Sequence, residues 1–183
     1  MVELVEKESK DGFSDFPSRL INSIDIEKLG LDSLMIDELD EKAKYNKAQI
    51  LNLDTTKGGG THWVTIYINN SVKRWLPFIL YYDPLGNSVS PVPPLLKKFA
   101  EERGYNIHAN KYRHQYINSN LCGYFAVMGA DALNEINPEK LRPKVFSNTL
   151  YKIHRGTPTK DDVLRVIKHI IDRLGSIDIT KPY

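Results

Sequence analysis

Apolar residues recur at helical spacing in the first part of the chain. In residues 20–29 they lie three or four positions apart, which predicts a helix capped near Ser18 and ended by Gly30. Residues 31–48 predict a second helical or mixed segment. Its inward-facing positions are expected to be Leu34, Met35, Leu39 and Ala43.

Strand spacing takes over near the middle of the chain. Residues 62–68 alternate and are rich in β-branched and aromatic side chains, and residues 75–82 have a similar composition, so both predict strands. The polar residues 69–71 would supply the turn between them. Such a hairpin leaves His62 at the start of one strand and Asp83 at the end of the other, so both are predicted at the same edge of a sheet.

The rest of the chain returns to helical spacing. Turn residues follow Asp83, and Gly104 and Asn137-Pro138 interrupt the later apolar patterns. Helices, then a β-rich block, then helices again predict an α+β fold. The further predicted elements are helices at residues 94–103, 122–136 and 161–174 and a third strand at residues 106–112.

Length and composition predict one domain over residues 1–183, in which residues 1–17 form a loose or added arm. No apolar stretch approaches the roughly 20 residues that cross a bilayer. The first ten residues carry three glutamates where a signal peptide needs a basic segment followed by an apolar one, so secretion is not expected. The 25 basic and 23 acidic residues leave a net charge of +2, which gives no global footprint for nucleic acid.

Cys122 is the only cysteine, so an internal disulfide is excluded. It is either an inert buried thiol or a reactive one in a reducing compartment. A reactive thiolate needs a nearby imidazolium or a helix N-terminus, and Cys122 opens a predicted helix behind residues of capping type. Gly123 is expected to leave open space beside the sulfur. The remaining histidines show no metal-ligand spacing, so no zinc site is expected.

Four short segments carry a family resemblance. His62-Trp63 starts a strand, Asp83-Pro84-Leu85-Gly86 ends the next, and Gln115 is separated by six residues from Cys122-Gly123. Over about residues 60–130 the chain thereby resembles the adenovirus-type (adenain-like) and Ulp1-like cysteine proteases. The resemblance implies a central mixed β-sheet flanked by helices, with a nucleophilic cysteine at the N-terminus of a central helix. Asp83 replaces the glutamate of the adenovirus enzyme and keeps the carboxylate.

The resemblance also implies a role for each residue of the site. Cys122 would be the nucleophile, His62 its base, Asp83 the group that orients His62, and the side-chain amide of Gln115 a donor to the oxyanion. Trp63 is expected to pack in the core. The glycines at residues 58–60 are either a flexible loop or a cleft entrance kept free of side chains for substrates with small residues.

Three kinds of client are implied by the wider family: viral precursor proteins, ubiquitin-like modifiers, and acyl groups moved by effector-type acetyltransferases. The first choice is a viral maturation protease of the virophage, Mavirus-like kind that cleaves capsid precursors in the host cytoplasm, at the virus factory, and in the virion. A deconjugating protease, an acetyltransferase and a catalytically silent binding module are the alternatives. No metal, small-molecule cofactor or membrane is expected. DNA stimulation stays open, whereas a disulfide-linked activating peptide would consume Cys122.

Overall fold

A computed structural model of the chain describes residues 20–70, 77–115, 119–147 and 159–175. The predicted N-terminal arm, the predicted cap near Ser18 and the first two residues of the strand predicted at 75–82 lie outside the described residues. The same is true of Ser71 in the predicted turn.

Five strands form one mixed sheet, and their order in space follows their order in the chain. The two outer pairs are parallel and the two inner pairs are antiparallel. The strands are β1 (Asp32–Met35), β2 (Ala48–Asn52), β3 (Trp63–Asn69), β4 (Phe78–Tyr82) and β5 (Asn106–Ala109). The helices include α1 (Ser23–Lys28), α2 (Leu39–Lys42), α3 (Pro94–Arg103), α4 (Cys122–Asn134) and α5 (Lys160–Gly175), and a 3-10 turn lies at Ile36–Glu38. A mixed sheet flanked by helices confirms the predicted α+β fold.

The sheet has an apolar core on each face. Because side chains alternate along a strand, Tyr67 and Tyr82 face the layer that contains α4 and α5, whereas Ile66 and Tyr81 face the layer that contains α3. All four are at most 1% exposed. None of the described helices is long and apolar enough to cross a membrane.

Helix α4 lies directly against β3 and contacts the Tyr82 ring of β4. The Thr65 hydroxyl of β3 donates a hydrogen bond to the Ala126 carbonyl at 2.6 Å. Gly129 lies so close to the Tyr82 ring that a side chain there would collide with it. The helix that begins at Cys122 is therefore fixed to the strands that carry His62 and Asp83 at their ends.

The N-terminal elements differ from the predicted ones. Helix α1 is shorter than predicted and begins after Asn22, whose side chain accepts a hydrogen bond from the Asp25 N–H in a capping box. Leu20 and Ile24 are exposed, although their spacing resembles that of a buried face. Gly30 follows the helix at φ 77°, as a helix-ending glycine does.

Residues 31–48 are indeed mixed, because they contain β1, the 3-10 turn and α2. Leu34 and Leu39 are buried and Ala43 packs against the same core, whereas Met35 is only half-buried. Strand β2 was not predicted. Strand β5 ends at Ala109 rather than at residue 112, and α4 ends at Asn134 rather than at residue 136.

Candidate active site

His62 and Asp83 meet where β3 begins and β4 ends. The strands pair with Thr65 opposite Tyr82, which brings the residue before β3 close to the residue after β4. His62 Nε2 lies 2.7 Å from Asp83 Oδ1. Asp83 is fully buried and the His62 side chain is 15% exposed. The proximity expected from the hairpin is therefore present.

The Asp83 carboxylate is held by neutral donors in addition to His62. Oδ1 accepts a hydrogen bond from the Leu85 N–H at 2.8 Å, and Oδ2 accepts one from the Tyr81 hydroxyl at 3.3 Å. The turn behind it closes through a hydrogen bond from the Gly86 N–H to the Asp83 carbonyl at 2.9 Å. A buried carboxylate needs such partners, and they fix the direction in which it faces His62.

The imidazole of His62 lies between a carboxylate and a thiol. Its burial disfavours the charged ring, but hydrogen bonds to Asp83 and to Cys122, together with the negative charge of both groups, outweigh that effect. The pKa of His62 rises from 6.5 to about 9. Because Nε2 is occupied by Asp83, Nδ1 is the ring nitrogen that remains for the thiol.

Cys122 is the first residue of α4 and is half-buried. The N-terminus of a helix favours a negative charge, as does a neighbouring imidazolium. The prediction for Gly123 is wrong. A Cβ there would lie 2.6 Å from the Cβ of Ile21, so the space beside Gly123 is filled by that side chain. Gly123 is needed for close packing against the segment before α1.

Gln115 lies in the segment that follows β5, and it is 2% exposed. Its side-chain nitrogen donates to the Ser119 carbonyl at 2.9 Å, which leaves the second N–H of the amide for another acceptor. Its side-chain oxygen is buried without a partner among the described residues. The N–H groups of His114 and Gln115 both donate to the Pro84 carbonyl, at 2.7 and 3.0 Å. The Gln115 segment is thus tied to the turn that follows Asp83.

His114 and Asn110 are two further buried side chains that hold this region, and the sequence patterns did not single out either residue. The Tyr82 hydroxyl lies 3.0 Å from His114 Nδ1. Asn110 makes hydrogen bonds to the main chain of Asp83. A lone asparagine near the end of a strand is typical of a turn, so only the contact across the fold distinguishes Asn110.

The loop before His62 has a defined hydrogen-bond pattern. The Asp54 carboxylate accepts a hydrogen bond from the Gly60 N–H at 3.1 Å, and Gly58 packs against the same carboxylate without room for a side chain. Gly59 has no neighbouring atom within 4 Å of where its Cβ would stand. The loop therefore presents main chain rather than side chains beside His62. Trp63 packs against the core on the α4 side, as expected.

The described part of the chain contains no group of three or more histidine, cysteine or acidic residues that could hold a metal ion. His62 instead bonds to Asp83 at 2.7 Å, and the Cys122 thiol is the second group that acts on the same ring, so the three side chains lie in a row. Such a row can transfer a proton from a thiol and return it to a leaving group.

Comparisons with known proteins show the fold. No family model and no curated protein matches the sequence. Among solved structures, the pS273R protease of ASFV aligns with a TM-score of 0.52 at 16% identity, over 84% of this chain and 68% of that one. A deletion variant of AvrA with IP6 and CoA aligns with a TM-score of 0.41 at 16% identity, over 96% and 79% of the two chains. The chain therefore has the fold of the pS273R protease.

Proposed function

We propose that the chain is a cysteine endopeptidase that cleaves viral capsid precursor proteins during virion maturation. The observation that carries the catalytic part is the 2.7 Å bond between His62 and Asp83, with Cys122 beside the same imidazole ring at the N-terminus of α4. Similarity in fold to a viral protease supports the choice of reaction. A binding module has no need of this arrangement.

The reaction begins with attack of the Cys122 sulfur, as thiolate, on the scissile carbonyl carbon. The new C–S bond pushes an electron pair onto the carbonyl oxygen, and collapse of this intermediate breaks the C–N bond. His62, protonated on Nδ1, gives that proton to the leaving amine. Water then attacks the acyl-enzyme while His62 removes its proton, which releases the acid and restores the thiolate.

Two donors are assigned to the developing oxyanion. They are the free N–H of the Gln115 amide and the main-chain N–H of Cys122. One such donor lowers a barrier of this kind by roughly 3–4 kcal/mol. The bond from Gln115 to the Ser119 carbonyl holds the amide in the loop that leads to Cys122.

Two observations support the choice of capsid precursors. The pS273R protease, which has the same fold, comes from a virus. The loop at residues 58–60 presents its main chain beside His62, where an extended substrate with small residues could lie. The proposal includes a virophage, Mavirus-like origin and action at the virus factory and in the virion. It also includes DNA as a stimulating partner, which rates with and without DNA at several salt concentrations would test.

The identity of the substrate is tested by giving the protein two candidate substrates in parallel. One is a capsid precursor of the virus that encodes the chain, and the other is a set of ubiquitin-like modifiers ending in a vinyl sulfone. We expect precursor cleavage, with N-terminal sequencing of the products giving the site. Protein pre-treated with iodoacetamide is the control, because Cys122 is the only thiol. Labelling by the modifiers without precursor cleavage would replace this proposal by a deconjugating protease.

A further inference from the structure

Asn110 follows β5, and its side-chain amide makes two hydrogen bonds to the main chain of Asp83. Its Oδ1 accepts a hydrogen bond from the Asp83 N–H at 2.8 Å, and its Nδ2 donates to the Asp83 carbonyl at 2.7 Å. Asn110 is 8% exposed. A side-chain amide that bonds to both the N–H and the carbonyl of one residue fixes the orientation of the two peptide groups on either side of that residue.

The same side chain connects the two segments that carry the site. Its Nδ2 also donates to the Tyr112 carbonyl at 3.0 Å, which shapes the stretch leading to Gln115. The main chain of Asn110 contributes as well, because its N–H donates to the Tyr81 carbonyl at 3.2 Å and its carbonyl accepts from Asn87 at 3.0 Å. Asn110 therefore joins the end of β4 to the end of β5.

The close approach of these segments has a second structural cause. Gly86, at φ 75°, packs against the main chain of Tyr112 and Arg113, and a Cβ there would lie 2.8 Å from the Tyr112 carbonyl carbon. The turn after Asp83 is thus fitted to the segment after Asn110, and little room is left for either to move independently. Loss of the Asn110 side chain would leave the buried N–H of Asp83 without this acceptor, whereas the Asp83 carbonyl would keep its hydrogen bond from the Gly86 N–H.

We propose that Asn110 is a positioning residue of the active site, which holds the Asp83 carboxylate at hydrogen-bonding distance from His62. It acts through Asp83 and touches neither the thiol nor the substrate. The inference rests on the proposed function only in that Asp83 and His62 serve catalysis. The geometric part stands on the three hydrogen bonds of the Asn110 side chain.

The experiment replaces Asn110 and measures His62 directly. Protein labelled with isotopes in its histidines is titrated by NMR, and the His62 signal is assigned by its loss in His62→Gln. The parent midpoint is expected at about 9. In Asn110→Ala a loosened Asp83 supports the imidazolium less, so the midpoint should fall by about one pH unit. Peptidase kcat/KM should fall about 10- to 100-fold with KM little changed.

Asn87→Ala is the matched control. Asn87 lies in the same pair of loops, and its side chain accepts a hydrogen bond from the Val92 N–H at 3.2 Å without reaching Asp83. The midpoint of the His62 titration in Asn87→Ala should equal that in the parent. If Asn110→Ala does not fold, Asn110→Ser is used instead, because its hydroxyl can retain one of the three hydrogen bonds.

A double-mutant cycle separates action through Asp83 from general loosening. Asn110→Ala should reduce kcat/KM much less in an Asp83→Asn background than in the parent. An unchanged His62 midpoint in folded Asn110→Ala, or equal losses in both backgrounds, would overturn the inference. Absence of peptidase activity would count against the proposed function alone, since the NMR titration needs no substrate.

Discussion

His62 takes its properties from the two groups it touches. Asp83 is buried and aimed at Nε2, and Cys122 contacts the same ring, which together raise the pKa of His62 to about 9 despite its burial. The imidazolium is therefore the form present at neutral pH. That form is the proton donor that a leaving amine requires.

The pH dependence of catalysis follows from this raised pKa. Because the folded value lies above 6.5, His62 keeps its proton well past neutrality, and kcat/KM should fall as pH rises through about 9. In Asp83→Asn the fall should begin at lower pH, with kcat reduced about 10²- to 10⁴-fold. Asp40→Asn, which removes an exposed carboxylate bonded to Arg103, is the control and should leave the profile unchanged. If kcat/KM falls at the same high pH in Asp83→Asn as in the parent, Asp83 does not raise the pKa of His62.

Gln115 should matter for the transition state and not for the thiol. Gln115→Ala removes one oxyanion donor, so kcat should fall about 10²- to 10³-fold. The rate at which iodoacetamide alkylates Cys122 should stay within about twofold of the parent, because no oxyanion forms in that reaction. Gln49→Ala, at another buried glutamine that bonds only to the main chain near α2, should not lower kcat. Equal kcat in parent and Gln115→Ala would remove Gln115 from the site.

At the level of elements, α4 and the β3–β4 pair form the framework of the site. The Thr65 hydroxyl bonds to the Ala126 carbonyl, and Gly129 contacts the Tyr82 ring, so side chains of the sheet pack directly against the main chain of the helix. The N-terminus of α4 is thereby set relative to the strand ends that carry His62 and Asp83. Such direct contact depends on a glycine at position 129.

Gly129→Ala should therefore separate helix from sheet. The added methyl group would collide with Tyr82 and approach Thr65 Oγ1 to 3.1 Å, so the free energy of unfolding should fall by about 1–3 kcal/mol. Urea unfolding followed by circular dichroism measures it. Gly59→Ala is the matched glycine control, because its Cβ would meet nothing within 4 Å, and it should change stability by at most about 0.5 kcal/mol. Equal stability of the two variants would show that α4 can be displaced freely.

The elements that the sequence predicts well are those with local signals. The alternation from Val64 to Ile68 and the end of a helix at Gly104 can each be recognised from residues that are adjacent in the sequence. Once the two strands pair as a hairpin, His62 and Asp83 must lie close together. Strand β2 carries no such signal, because it is short, all five of its residues are buried, and two of them are the polar Gln49 and Asn52. Its pairing with β1 and β3 decides its conformation.

The parts of the site that sequence reasoning missed depend on distant residues. Gly123 looked like open space because nothing near it in the chain reveals that Ile21 fills the gap. Asn110 falls inside the strand predicted at residues 106–112 and is given no role there, because its partner, Asp83, lies 27 positions away. In both cases the decisive contact joins segments that are far apart in the chain, so it forms only in the folded protein.

For the whole molecule, stability comes from the core on either side of the sheet, and α5 closes the side that contains α4. Ile170 of α5 is fully buried in that core. Ile170→Ala should lower the free energy of unfolding by about 2–5 kcal/mol while leaving kcat of the folded protein unchanged at low temperature. Lys168→Ala, on the exposed side of the same helix, should stay within about 0.5 kcal/mol of the parent. A stability loss as small as that of Lys168→Ala would show that α5 does not close the core.

The role of Cys122 as nucleophile predicts that removing its thiol abolishes peptide cleavage. Parent and Cys122→Ala are purified in the same way and compared for cleavage of the same substrate, with intact-mass spectrometry of acid-quenched parent to detect a thioester on Cys122. We expect the thioester in the parent and a loss of at least about 10³-fold in the variant. Cleavage by Cys122→Ala at the rate of the parent would contradict the account.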